Sequence, residues 1–404
     1  MRIHGATDND IHPPLFGASQ RSFGLYRGLA RRHDVRVLCV VPNRSPGAPE
    51  ERAAGVALVR RKAWYTSLTW RAEQMRLLPH FLAAYAHRAR AAALLEALPG
   101  RPDVRAADLT VAGLLEREGA SLTVYTSHNV EVDHFRMVKA GVVAPGFWAR
   151  RLQALEAHAV ARADLTVVCS DEDAVRMGEL YGARAERLTV IPNGFDETRV
   201  TAPEPAARAR ARAALRVADD EYLCLFLGSD TPFNRQGLER LTGAVLPALA
   251  PHGFRLLVVG GIAAALRGRR EPGLIVRGAT GEITPFLHAA DAGLNPVTTG
   301  GGSNVKLPTY LGAGLAVVTT PFGLRGYRAL APWVEAVEPA HFAEALRERP
   351  GGWRAGHDQR PTVIEDYAWG RLGERLGCEL ERRLGHAAAG PAPRPAREAG
   401  GRGA

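Results

Sequence analysis

Lysine and cysteine are both scarce in this chain: three lysines and four cysteines among 404 residues, although basic residues number 52 and the formal charge is +10. Cys39, Cys169 and Cys224 lie inside apolar, strand-like runs and Cys378 in a helical stretch. No two have metal-ligand spacing, so a disulfide scaffold and a thiolate zinc site are excluded, and a reducing compartment is expected. No apolar run is long enough to cross a bilayer. Met1–Gly5 lacks the apolar core of a secretory leader, so the expected location is the cytoplasm, with the inner membrane surface left open. Neither a nucleic-acid-binding signature nor a sheet of alternating basic and aromatic residues is present, and nucleic acid is not an expected partner. A metal-ligand cluster is absent too. Asp8, Asp10 and His12 alternate on a loop, a pattern that serves turns more readily than a cation, and no metal is expected. The arginine excess suits phosphorylated substrates or an anionic surface, and equally the codon usage of a GC-rich genome.

What is present is an ordinary folded composition, 46% hydrophobic and 23% charged, long enough for two or three domains. Strands are expected at Arg2–Thr7, Val35–Val41, Leu122–Ser127, Leu165–Ser170 and Leu188–Ile191, with helices at Ser19–Arg32, Arg71–Leu98 and Phe147–Arg162 and another opening at Asp171 behind Ser170 as cap. The Arg71–Leu98 stretch, apolar at Leu78, Phe81, Leu82, Tyr85 and Leu95 and studded with arginines, fits a core-facing helix or one lying on a membrane. Residues 197–220, rich in Ala, Arg and Pro, read as a boundary. Beyond it the alternation resumes: strands at Tyr222–Gly228, Arg255–Gly261, Leu274–Arg277 and Ala292–Pro296, helices at Gln236–Leu249 and Ile283–Ala290. Two such runs predict two doubly wound α/β domains. A helix over Val363–Leu384 carries Gly370, Gly373 and Gly377 on one stripe, which predicts close approach of another backbone. The Ala-, Gly-, Pro- and Arg-rich tail 386–404 is expected to be disordered.

The stretch Gly300–Thr320 concentrates the chemistry. Gly300, Gly301 and Gly302 allow a ligand to lie against bare backbone, and Ser303 is an expected N-cap for a helix opening near Asn304–Leu307. Lys306 would add a full charge to the positive helix end, and Pro308 is tolerated only in the first turn. A phosphate cradle and a plain surface loop are the two readings of this stretch by itself.

Taken in order, Gly17, Thr126-Ser127-His128-Asn129-Val130-Glu131, Val168–Asp173, Val190–Asp196, Leu225–Ser229, Ala289–Pro296, Gly300–Thr320 and Tyr367-Ala368-Trp369 resemble the retaining glycosyltransferases of the GT-B fold, family-four group (glycosyl transferases group 1). The resemblance spans about residues 1 to 385. It implies an acceptor-side Rossmann-like domain over 1–196, a nucleotide-sugar domain over 197–362 facing it across a cleft, and a helix over 363–385 crossing back to the first. The implied reaction moves a sugar from a nucleotide-diphosphate sugar to an acceptor hydroxyl with retention, with neither metal nor cofactor. The acceptor would be a glycan, a lipid-linked sugar or a small molecule. His128 and Lys306 take the catalytic roles, and Gly17, Glu131, Gly228, Arg235, Gly301, Gly302, Ser303, Asn304 and Thr309 the binding roles.

Two departures stand out. Where many members place two Glu residues with seven residues between them, this chain has Gly301 and Thr309, and the second Glu is the usual ribose ligand. After Gly228, where an Arg and then a Lys usually grip the diphosphate, only Arg235 is near. Gly301 and Thr309 motivate one alternative, a catalytically degenerate, donor-binding partner subunit; a second keeps the fold and changes the chemistry, a sugar-nucleotide epimerase.

Overall fold

The computed structural model describes residues 1–138, 141–301, 303–348 and 360–388. The predicted tail is described only to Ala388, where the last helix ends; the rest of it lies outside the described residues. Fourteen strands among the described residues form two sheets. The first contains β1 (Arg2–Thr7), β2 (Asp34–Val41), β3 (Glu50–Ala53), β4 (Val56–Lys62), β5 (Val104–Ala107), β6 (Leu122–Thr126), β7 (Leu165–Val168) and β8 (Leu188–Val190), in the order β3-β4-β2-β1-β5-β6-β7-β8. All neighbours pair parallel except β3 with β4. The second contains β9 (Tyr222–Leu227), β10 (Phe254–Val259), β11 (Leu274–Arg277), β12 (Ala292–Asn295), β13 (Ala316–Thr319) and β14 (Glu335–Ala336), in the order β11-β10-β9-β12-β13-β14, all parallel. Strands buried on both faces need continuous apolar runs, which is how Val-Leu-Cys-Val-Val and Leu-Cys-Leu-Phe-Leu come to be central strands. Each sheet is sandwiched between two apolar cores.

The strand order reverses beside β1 in the first sheet and beside β9 in the second. The carboxyl ends at such switch points leave crevices for ligands, and here the two crevices face each other. Among the helices that matter for the cleft, α1 (Gly17–Leu29) follows β1, and α2 (Trp64–Gln74) follows β4. Then come α3 (Glu131–Val138), α4 (Pro145–Arg162) and α5 (Asp171–Tyr181). In the second half α6 (Pro205–Leu215), α7 (Pro232–Arg240), α8 (Lys306–Gly312) and the terminal α9 (Trp369–Ala388) follow.

Two expectations need correction. The single helix over Arg71–Leu98 does not exist: α2 stops at Gln74, Arg76 turns left-handed, and short helical pieces resume at His80–Leu82, Ala83–Ala89 and Ala91–Leu95. Pro79 is the reason, since it supplies no N–H and keeps Leu78 out of the helical region. Ser303 does not cap α8; its Oγ instead accepts the Asn193 backbone N–H at 3.3 Å. The segment at the expected boundary contains α6, whose Arg208 and Arg212 grip Asp291 at 2.6 and 3.1 Å and tie it to the second sheet, the half to which the sequence reading assigns it.

The terminal helix returns to α1. A Cβ on Gly373 would lie 2.4 Å from Gly28 Cα, and one on Gly24 would lie 2.3 Å from the Trp369 ring. Of the predicted glycine stripe, Gly373 is where the two helix backbones meet directly, while Gly370 and Gly377 lie against the Arg31 and His33 side chains.

Candidate functional site

Between the sheets lies a cleft of about 520 Å³. From the first half it is walled by the start of α1 and the loop after β6; from the second, by the loops after β9, β10 and β12 and the start of α8. Gly17, His128, Gly228, Gly301, Ser303, Asn304, Lys306 and Thr309 all line it, so most of the residues singled out in the sequence converge on one surface. Gly302 falls outside the described residues. Two do not line it. Glu131 opens α3 beside Glu156, and burial followed by the Glu156 charge pushes its carboxyl well above the usual range. Arg235 points outward, its guanidinium doubly bound to Asp230 at 2.6 and 2.7 Å. It is therefore a spent charge.

Lys306 is the chemical centre of the second-half wall. Its ammonium is buried, donates to Asn234 Oδ1 at 2.9 Å and stands 5.6 Å over the Phe226 ring. Among the described residues no carboxylate pairs with it. Burial brings its pKa down to about 8. A buried cation held by one neutral amide is costly unless an anion arrives.

Sequence reasoning missed its counterpart on the first-half wall. Arg21, buried in α1, donates to the Ile191 carbonyl at 2.8 Å and to Asn193 Oδ1 at 3.1 Å, and again finds no carboxylate among the described residues. In the sequence it is one arginine of a helix, with partners 170 positions away. Arg325, also missed, lines the cleft but is paired with Asp173 at 2.6 Å. With Asp230 and Asp173 both engaged by arginines, Lys306 and Arg21 leave the cleft positively charged.

The loop that carries Lys306 is tied down at both sides. Asn304 donates to Asn295 Oδ1 at 2.9 Å at the end of β12, while Asn193 Nδ2 donates to the Ser303 carbonyl at 3.2 Å. Thr309 Oγ1 donates to the Val305 carbonyl at 2.7 Å, which leaves its lone pairs toward the cleft wall. Gly301 meets the first half directly: a Cβ there would sit 3.3 Å from Met137, 3.4 Å from Asn129 and 3.5 Å from His134. A methyl there would fit against these side chains with at most a small shift of the Met137 end. On the floor, Gly260 has φ +107°, and a Cβ would approach the Gly228 carbonyl to 2.4 Å, so β9 and β10 close up only with glycine there.

His128 is held by a relay. Its Nε2 stands 3.2 Å from Asp108 Oδ2, and Asp108 Oδ1 accepts the Thr126 hydroxyl at 2.6 Å. Asp108 was another residue the sequence did not flag, because it follows the short β5. The three loop residues weighed as metal ligands are dispersed among other partners: Asp8 with His80, Asp10 with Arg60, and His12 with Glu51. Among the described residues no group of three His, Cys, Asp or Glu is placed to hold a metal ion.

Two facing doubly wound sheets, a cleft at their switch points and a terminal helix that crosses back define the GT-B class. Residues 17–199 match the family described as Glycosyltransferase Family 4, and residues 221–348 the one described as Glycosyl transferases group 1. The chain belongs to this family of glycosyltransferases. It is 28% identical to a D-inositol 3-phosphate glycosyltransferase of Actinosynnema mirum over 65% of this chain and 66% of that protein. It is 36% identical to the enzyme of that name from Nocardia farcinica over 26% of this chain, a match spanning 23% of the relative's length. Among solved structures it is similar to sucrose-phosphate synthase from Thermosynechococcus elongatus (TM-score 0.68, 17% identity, 96% of this chain and 100% of that one). It is likewise similar to Anabaena HepE in complex with UDP-glucose (TM-score 0.64, 15% identity, 95% and 100%).

Proposed function

We propose that the chain transfers a sugar from a nucleoside-diphosphate sugar to an acceptor hydroxyl, with retention and without a metal ion. The observation that carries this reading is Lys306, a buried ammonium with one neutral partner at the edge of a glycine loop. A cation about 4 Å from a phosphate oxygen gains about 4 kcal/mol at an effective dielectric near 20. Lys306 and Arg21, from opposite walls, would share the charge of the departing diphosphate, and the Gly301 N–H would add a hydrogen bond. The named ligand of HepE, UDP-glucose, supports a uridine nucleotide as the first donor to try.

Bond breaking ahead of bond making would put oxocarbenium character on the sugar, so stabilising the leaving group is the main contribution of the protein. His128, steadied by Asp108, would contact the transferring sugar. Thr309 would offer its oxygen to the ribose in place of the usual carboxylate. The domains follow the same logic, residues 1–196 taking the acceptor and 197–362 the donor. The curated relatives point to a small polyol phosphate as an acceptor worth testing, beside glycans and lipid-linked sugars.

Release of nucleoside diphosphate from a panel of sugar nucleotides and acceptors tests the activity. Lys306→Ala is expected to lower kcat by about 10²–10³-fold. Unchanged turnover in that variant would overturn the assignment. Tight nucleoside-diphosphate binding without turnover would instead favour a degenerate donor-binding subunit. An inverted anomer in the product, read by NMR, would rule out retention, and activity abolished by chelator and restored by magnesium would rule out metal independence.

A further inference from the structure

The large apolar side chains that face solvent are clustered. Six fall within residues 64–78: Trp64, Leu68, Trp70, Met75, Leu77 and Leu78. Helix α2 buries Tyr65, Thr66 and Ala72. It turns Trp64, Leu68, Arg71 and Met75, spaced four, three and four apart, outward, and the three apolar ones are 60, 59 and 63% exposed. An ordinary surface helix has the opposite polarity. The patch continues onto the start of α4 through exposed Val143 and Phe147, because the Val143 N–H donates to the Arg76 carbonyl at 3.4 Å. It lies beside the first-half mouth of the cleft, since His80, just past this segment, pairs with Asp8 after β1.

Charge selects the occupant. Residues 64–78 and 141–151 contain Arg71, Arg76, Arg150 and Arg151 but one acid, Glu73, whose carboxylate accepts the His80 backbone N–H at 3.1 Å. Arg151 lies over the Phe147 ring at 5.4 Å. Trp, Met and Arg also suit protein–protein interfaces, so the choice of occupant rests on the one-sided charge, four arginines against a single engaged acid. At a lipid headgroup layer the same arrangement is favourable: indoles and aliphatic groups enter the acyl boundary and guanidinium groups stay among the phosphates. We propose that this face docks the chain on an anionic phospholipid bilayer, with the acceptor side of the cleft turned toward the membrane. The docking stands or falls independently of the sugar-transfer chemistry.

Co-sedimentation with vesicles of phosphatidylcholine alone, and of phosphatidylcholine with phosphatidylglycerol, tests it. The protein is expected to sediment with the mixed vesicles, less at high salt, and with a blue-shifted tryptophan emission. The triple variant Trp64→Ser/Leu68→Ser/Trp70→Ser is expected to bind at least about tenfold more weakly. Arg71→Gln and Arg76→Gln are expected to lose about fivefold each. All five side chains are exposed, so the unfolding midpoint should not fall; should the triple variant fail to fold, the arginine variants carry the test. The proposal is overturned by absence of binding to mixed vesicles, by variants that bind like the parent, or by a dimer in light scattering that the triple variant disperses.

Discussion

Lys306 trades stability for charge. Its folded pKa of about 8 lies below the 10.5 of a free lysine, so the buried ammonium destabilises the unliganded fold below pH 8. That cost, on the order of 3 kcal/mol, fades as pH rises from 8 toward 10.5. Lys306→Met is therefore expected to raise the urea midpoint at pH 7 by about 1 kcal/mol or more in free energy while abolishing nucleoside-diphosphate binding; a destabilised variant would contradict this. A bound diphosphate favours the protonated amine, so calorimetry should show affinity falling as pH climbs through 8, with proton uptake, and a flat profile in Lys306→Arg. The sequence made Lys306 visible because its neighbours form a recognisable loop. Arg21 was hidden, since a helix arginine looks solvated until its carbonyl partners in the chain's later turns are in place. Arg235 shows the same limit in reverse: the sequence made it the nearest cation, and only the fold shows that Asp230 has already captured it.

Gly28 and Gly373 bring α1 and α9 into direct backbone contact, and Gly373→Ala would place a methyl 2.4 Å from Gly28 Cα. An expected loss of about 1–3 kcal/mol, measured by urea unfolding, follows from overpacking there. No change would mean that the helices can part at little cost. Here the sequence was readable, because glycines at spacing three and four in a helix have no other good use. Central strands were equally legible from their unbroken apolar runs. β5, with Val-Arg-Ala-Ala, was not: its apolar character is too slight until β1 and β6 flank it. The helix drawn across Arg71–Leu98 ignored Pro79, a stop signal that outweighs any periodicity around it.

The two halves are joined by more than chain continuity. Arg325 and Arg328 reach Asp173 and Glu172 on α5 at 2.6 and 3.0 Å, and the Tyr327 hydroxyl donates to the Asn193 carbonyl at 2.8 Å. Asp173 is buried, so Arg325→Ala would leave a charge without a counter-ion, a loss of about 3–5 kcal/mol if the halves stayed shut. Opening the cleft is the cheaper response. Small-angle scattering should record a larger radius of gyration for Arg325→Ala, partly reversed by adding Asp173→Asn; an unchanged radius with unchanged stability would dismiss the latch. The polypeptide crosses between the halves twice, and the crossings lie side by side: the Phe195 N–H donates to the Tyr367 carbonyl and the Trp369 N–H to the Phe195 carbonyl, each at 3.1 Å. The second sheet is thus an excursion that leaves and rejoins the first at one place. On the ribosome, the groove that α1 offers to Trp369 and Gly373 must wait, uncovered, through the making of the whole second half. The part begun first is finished last.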